Sequence, residues 1–494
     1  MEQNKPARRV VVVGGGNAAL CAAISARENG AEVIVLERAP KDLRGGNSAF
    51  TAGAMRFAYE GEEDIRELVT DLSEAELEIT DFGTYPAATF LDDLARVTDY
   101  RTDPELATTL VDNSFETLKW MRDHGVRFLP IYGRQAFKVD GRFKFWGGLT
   151  LETVGGGPGL IQMLTDEADR LDIDIRYHTR AVRLRRGAQG VHGVVVVQDG
   201  AESEIECDAV VLAAGGFQSN AEWRTRYLGT GWDVAKVRGT RYNTGDGIRM
   251  ALDIGASAAG NWSGAHAVQW DANAPEFGDL EVGDGFQKHS YPFGILVNAD
   301  GRRFLDEGYD FRNYTYARYG REVLAQPGLR AWQVFDQKVV HLLRDEYRIK
   351  QVTKIKGDTI EELARKMVGI DEEQFVATVR EYNAAVDTGT PFDPNVKDGR
   401  STSGLEPNKS NWANTLTDGP FEAYEVTCGL TFTFGGVRVD PEAQVLDDDA
   451  APIPGLYACG EMAAGIFYFN YPGGSGLTNG SVFGRIAGRN AATA

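Results

Sequence analysis

The sequence predicts an α/β protein in three layers, with a parallel sheet built from both ends of the chain and an α+β insertion between them. Three observations carry this expectation. Residues 9–36 read as a complete strand–helix–strand unit. Strands that end in glycines recur at residues 207–216 and 456–460. From Trp262 to about Gly429 that style gives way to aromatic residues, charges and loops.

The first unit is the most informative. Val10 to Val13 suit a strand covered on both faces, and they run into Gly14-Gly15-Gly16. A helix follows from Asn17 to about Asn29, Gly30 ends it, and residues 31–36 form a second buried strand with Glu37 and Arg38 at its carboxyl end. Gly14, Gly16 and Ala19 fit G-x-G-x-x-A: a tight turn, close approach of a pyrophosphate to backbone, and close helix–strand packing. The helix N-terminus at Asn17 and Ala18 offers amides and a partial positive charge to phosphates. Glu37 suits ribose hydroxyls and disfavours the extra phosphate of NADP. The pattern alone does not choose between FAD and NAD.

Downstream, a loop rich in small residues (RGGNSAFTAGAM) includes Gly46, Asn47, Ser48, Ala52 and Gly53 and suits backbone lying against a flat ligand. Asp103-Pro104 opens an apolar-faced helix expected to run to Gly125. Residues 132–146 are aromatic and basic and read as an excursion. A glycine turn and helix follow at about residue 155. Three strands come next, the second containing Ala181 and Val182, then a buried strand ending in Ala214-Gly215-Gly216. Helices are expected at 359–367 and 371–386. The glycine-rich style returns in GLYACGE, with Gly460 and Glu461, and in NYPGGSGL, where Gly474, Ser475, Gly476 and Leu477 open a last helix. The expected division is therefore 1–261 and 430–494 for the nucleotide domain and 262–429 for the cap.

Composition excludes several classes. The formal charge of −20 argues against a nucleic-acid or anionic-membrane surface. An anionic substrate would then need local arginines. No apolar run spans a bilayer, and MEQNKPARR lacks the apolar segment of a secretory signal, so a cytoplasmic protein is expected. Cys21, Cys207, Cys428 and Cys459 lie far apart without CxxC spacing, which gives no sign of haem, iron–sulfur cluster or zinc.

Together VVVGGGNAA with Glu37, RGGNSAFTAGAM, DAVVLAAGGF, GILVNADGRRFLDE, FTFGGVRVD, GLYACGE and NYPGGSGL resemble the flavoprotein family of fumarate reductases, succinate dehydrogenases, 3-ketosteroid dehydrogenases and tricarballylate dehydrogenases. The likeness covers nearly the whole chain, with the tricarballylate branch ranked nearest. It implies a Rossmann-like FAD-binding domain, a capping domain, and hydride transfer between a substrate carbon and flavin N5. It also implies roles: Glu37 on the adenosine ribose, Asn47 and Ser48 along the flavin, Glu461 at the ribityl chain, and Ser475 and Leu477 against the ring system. Asn47 replaces the histidine that carries a covalent flavin in some relatives, so noncovalent FAD is expected.

The departures shape the functional expectation. Asp271, Phe432 and Tyr471 align with the histidine, histidine and arginine that clamp a dicarboxylate in reducing members, and GFQKHSYPF replaces the expected relay residues. Arg312 survives. The resemblance implies a dehydrogenase (desaturase) acting on a CH–CH bond beside a carbonyl or carboxylate of a small oxo-acid or polycarboxylate, with Tyr471 and Arg312 as the catalytic pair. His266, His289 and Asp271 stand in reserve. An enoate reductase running the reverse reaction, or a non-catalytic flavin-binding accessory protein, are the alternatives. Electrons must pass to an external acceptor: oxygen, a quinone or a carrier protein.

Overall fold

The computed structural model describes residues 7–145 and 147–494; Trp146, in the expected excursion, lies outside them. Seven strands carry the architecture: β1 (Arg9–Val13), β2 (Glu32–Leu36), β3 (Asp174–Arg176), β4 (Ala209–Leu212), β5 (Ala258–Asp271), β6 (Phe421–Val437) and β7 (Pro452–Ala458). Three helices matter most for the site: α1 (Asn17–Glu28), α2 (Gly156–Arg170) and α3 (Ser475–Thr493).

The first sheet is parallel in the order β7-β4-β1-β2-β3, with Gln444–Leu446 added antiparallel beside β7. The central position of β1 explains its four consecutive valines: Val10, Val11 and Val12 are fully buried, paired to Ala209, Val210 and Val211 on one side and to Val33, Ile34 and Val35 on the other. Helices α1, α2 and α3 form one outer layer, and an antiparallel meander (Arg180–Gly187, Gly190–Gln198, Ala201–Glu206) packs on β4 and β7 as the other. The sheet thus joins residues from both ends of the chain, as the sequence predicts.

Small residues set the spacing of α1 and α3. A Cβ at Gly484 would stand 2.5 Å from the Ala18 carbonyl oxygen, and one at Gly488 would stand 2.1 Å from that of Ala22. Asn17 ties the two helices by donating to the Leu477 carbonyl and the Ser481 hydroxyl.

The cap centres on β5 and β6, a long antiparallel pair with Ala331–Phe335 and Ile295–Val297 beyond β6. Helices Ile360–Lys366 and Glu372–Ala385, N-capped by Thr359 and Asp371, cover this sheet and form a separate apolar core around Trp332, Phe375 and Tyr382. The limits expected at 262 and 430 fall inside β5 and β6, because both strands run on from the cap towards the nucleotide domain. The helix expected from 104 to 125 is two helices, Pro104–Asp112 and Ser114–Asp123, meeting at Asn113. Residues 132–145 form a helical turn and a hairpin, Ala136–Val139 with Arg142–Phe145. Among the described residues all four cysteines are free thiols, and no helix is long and apolar enough to cross a membrane.

Candidate active site

A cavity runs from the strand ends of the first sheet to the inner face of the cap. Its nucleotide end is built from most of the expected residues. Gly14, Gly16, Asn17 and Ala18 come from the β1–α1 turn, Glu37 and Arg38 from the end of β2, and Gly46, Asn47, Ser48 and Ala52 from the small-residue loop. Ala181, Ala214 and Gly215, Gly460 and Glu461, and Gly474, Gly476 and Leu477 complete it. Gly53, Val182 and Ser475 stand outside the wall. A Cβ at Gly53 would meet Thr153 Oγ1 at 2.2 Å, Val182 sits at a bulge in its strand, and the Ser475 hydroxyl turns back to the Pro472 carbonyl at 2.5 Å.

Gly14 answers a tighter need than a turn. At φ +119° a Cβ would lie 2.3 Å from the Ala213 carbonyl oxygen, so only glycine lets β1 and the end of β4 close together. The N-cap residues of α1 and α3 are glycines, Gly16 and Gly474, which offer no side-chain cap; the Asn17 amide donates to Ser48 Oγ at 3.2 Å, and both first turns line the cavity. Glu37 is buried, accepts from the Ala39 amide at 2.7 Å, and has its pKa raised by burial. Glu461 accepts from the Thr433 amide at 2.9 Å, and burial pushes its carboxyl up to about 7. Arg38 is engaged by Thr244 Oγ1 at 2.7 Å and Asp246 at 3.0 Å. Asn47 braces three segments, accepting from the Thr240 amide at 2.9 Å and donating to the Thr431 carbonyl.

The other end is lined by long side chains. Tyr471 is buried and pairs hydroxyl to hydroxyl with Tyr316. Phe432, Phe467 and His266 surround it with ring centroids at 5.2, 5.4 and 4.7 Å. Burial pushes the Tyr471 phenol well above its ordinary value, so it is a proton-bearing donor. The turn after it is fixed by the buried Arg56, which donates to the Gly473 carbonyl at 2.7 Å. His266 and His289 both line the cavity, both are fully buried to within 1%, and neither ring nitrogen of either has a partner. Burial holds both well below the usual histidine range, aided by Arg238 beside His266 and by Arg312 beside His289, so both are neutral at pH 7.

Four guanidiniums line this end, from Arg134, Arg238, Arg312 and Arg344, against one carboxylate, Asp284. Asp284 holds Arg238 at 2.7 Å and Arg134 at 3.2 Å. Arg312 donates to the Arg134 carbonyl at 2.8 Å, and Arg344 donates to the same oxygen. Burial lowers the Arg312 pKa to about 10, and burial with the neighbouring Arg312 lowers that of Arg344 well below its ordinary value. Arg344 Nη1 has no partner. Guanidiniums crowded away from water, with Arg344 Nη1 unpartnered and Glu346 as their further acidic neighbour, favour an incoming anion.

Sequence reasoning named Tyr471, Arg312 and Phe432, held His266 and His289 only in reserve, and missed Arg134, Arg238, Arg344, Asp284 and Tyr316. His266 faces Phe432 across the β5–β6 ladder between two bulges, and such irregularities re-aim a side chain in a way periodicity does not reveal. Asp271, aligned above with a clamping histidine, does not line the cavity. It is fully buried, accepts from the Thr353 hydroxyl at 2.5 Å and faces Lys288 at 3.4 Å. Phe432 and Tyr471, aligned with the other two clamp positions, do line it.

Residues 9–477 match the family model described as FAD binding domain. The chain belongs to this flavoprotein family. It is 31% identical to a probable fumarate reductase, Ifc3, of Shewanella frigidimarina (strain NCIMB 400), over 98% of this chain and 74% of that protein. It is 30% identical to a 4-oxocyclohexanecarboxylate 2-dehydrogenase of Sinomonas cyclohexanicum, over 97% of this chain and 92% of that protein. The open conformation of a flavocytochrome c3 fumarate reductase superposes with a TM-score of 0.72 at 28% identity, covering 98% of this chain and 78% of that one.

The flavoprotein is an FAD-dependent oxidoreductase. Its own residues fit the cofactor: two helix N-termini with glycine N-caps line the cavity, glycines remove the Cβ atoms that would fill the cradle, and two buried acids, Glu37 and Glu461, line its wall.

Proposed function

We propose that the flavoprotein desaturates a CH–CH bond beside a carbonyl in a small oxo-acid. FAD, when bound, supplies the hydride acceptor. The observation that carries this reading is the split of the substrate end into two sets of groups. Arg312 and Arg344 share one carbonyl oxygen, so their guanidiniums are held together as a carboxylate grip. Tyr471, Tyr316, His266 and His289 are neutral hydrogen-bonding groups, suited to a carbonyl oxygen. A symmetrical dicarboxylate would leave one carboxylate against Phe432 and the phenols, which supports an oxo-acid over a polycarboxylate.

In this reading Tyr471 donates to the ketone oxygen and stabilises the enolate as the α-proton leaves. Arg312 takes that proton through its minor neutral form, which burial makes more accessible by lowering its pKa to about 10, while Arg344 keeps the charge that grips the carboxylate. Glu37 holds the adenosine ribose and Glu461 the ribityl chain. FAD is held without a covalent bond, since Asn47 stands in the place of the flavin-bearing histidine and its amide is engaged on both sides. Acid or heat should release free FAD, whereas yellow colour retained by precipitated protein rejects noncovalent binding.

The reverse reaction is the second reading, favoured by the likeness to the Shewanella fumarate reductase. The same residues serve it, with Arg312 returning a proton to the enoate. Anaerobic mixing decides between them. Saturated oxo-acids should bleach the oxidised flavin, while reoxidation of reduced flavin by enoates, without bleaching in the other direction, selects the reductase. External oxygen, a quinone or a carrier protein completes the cycle.

A further inference from the structure

The groups of the substrate end are enclosed: Arg312, Tyr471 and Asp284 are each at most 8% exposed, and His266 and His289 only 1%. A proton taken there must still reach water. The two histidines are held neutral, and Lys288, between Gln287 and His289, turns away onto Asp271 and the Glu346 carbonyl.

A second cavity abuts the first and shares Thr51, Ala52, Arg134 and Asp284 with it as common walls. Its remaining lining includes Glu152 together with Gly155 and Pro158, which are exposed. The Arg134–Asp284 ion pair, closed at 3.2 Å, is therefore the partition between the buried reaction site and a chamber at the surface.

Resting on the proposed function, we propose that Glu152 is the outlet that passes the reaction's proton to solvent, acting across the Arg134–Asp284 partition. In the desaturating direction the α-C–H bond breaks and its electron pair becomes the new C=C bond as the β-carbon loses hydride to the acceptor that FAD would supply when bound. The proton taken by neutral Arg312 passes by way of the Asp284 carboxylate, which lines both cavities, to the Glu152 carboxylate and from there to water, and Arg312 is returned to its neutral form. Glu152 touches neither substrate nor cofactor, so its role is one of positioning and exchange.

Glu152 lies on the strand Leu151–Thr153, between Ala54–Met55 and Phe128–Pro130, neither of which bears an ionisable group. The first ten residues of α2, which packs on the same strand, bear none either. The charged groups facing it are Arg134 and Asp284, the latter also bound to Arg238 and to Gln287. Burial raises the carboxyl to about 7, Asp284 adds to the rise and Arg134 opposes it. Below that pH the group is protonated and cannot accept, so desaturation should rise with pH through about 7.

Infrared titration of the FAD-loaded protein without substrate comes first: wild type should show a carboxyl band titrating near neutral pH that is missing in Glu152→Gln. Glu461 contributes a second band, which Glu152→Gln leaves in place. Persistence of every near-neutral band in Glu152→Gln overturns the outlet, whatever the substrate. Turnover follows, using the oxo-acid that bleaches the flavin. Glu152→Gln should lose at least about 10-fold at neutral pH, less than the 10²–10⁴ expected for a group touching substrate. KM and FAD retention should be unchanged, the inflection near 7 lost, and the rate restored by added formate and by Glu152→Asp. An unchanged rate and pH profile, or a loss that formate and Glu152→Asp both leave unrestored, overturns the proposal. Failure of every oxo-acid and enoate to change the flavin overturns the functional reading instead, and the infrared result distinguishes the two.

Discussion

At the nucleotide end of the cavity, backbone and small residues within a few positions of strand ends form the wall, whereas at the substrate end long side chains arrive from a hairpin, two sheet strands, a helix and several loops. Arg134 precedes the hairpin strand, His266 lies on β5, Phe432 on β6, Tyr316 opens the helix Tyr316–Leu324, and His289, Arg344 and Tyr471 sit in loops. The first kind of wall binds through geometry that few residue types permit, so its sequence is constrained locally. The second binds through charge and hydrogen bonds that many placements could supply. Changes at the substrate end should therefore cost rate while leaving the cofactor bound, and changes at the nucleotide end should do the reverse.

The largest effect that would sharpen this contrast is expected at Tyr471. Tyr471→Phe removes a buried donor next to Tyr316 and should slow flavin reduction roughly 100-fold or more, with FAD retained and the fold intact. A near-normal rate breaks the assignment and moves the carbonyl contact to Tyr316 or a histidine. Arg312→Lys is next. If Arg312 moves the proton, kcat should fall by about 100-fold; a raised KM with unchanged kcat means that it only grips the carboxylate. Arg344→Gln should show that gripping signature itself, KM rising by roughly 10-fold with little change in kcat, as for loss of a charge-assisted contact made equally in ground and transition states. The smallest effect on rate belongs to Glu37→Gln, which should weaken FAD retention by about 1–3 kcal/mol and leave the loaded enzyme's turnover alone. Wild-type FAD affinity in that variant, measured by equilibrium dialysis, would put the ribose elsewhere.

The same contrast explains what the sequence made legible. Val10 to Val13 could be read as a central strand because only a strand buried on both faces tolerates such a run, and Gly14 because its positive φ and its contact with Ala213 admit no side chain. Tyr471 was legible because it stands beside a glycine turn that locks to Arg56. Arg134 was not, since a basic residue before an aromatic hairpin reads as surface until the cap folds it over Asp284. The break at Asn113 escaped an apolar pattern continuous across both helices. The limits at 262 and 430 followed a change of texture, whereas β5 and β6 are continuous through it.

The seam between α1 and α3 bears on how the molecule is made. Asn17 and Leu477 are joined by one hydrogen bond across 460 positions of sequence, and the glycines at 480, 484 and 488 give α3 a face that only the backbone of α1 fits. During synthesis the valine strand and α1 leave the ribosome long before α3 exists. The two helix ends that flank the cofactor cradle meet only after the whole cap has emerged. Loading with FAD is thus a late event in the life of the nascent chain, and a yellow protein is one whose synthesis has passed α3.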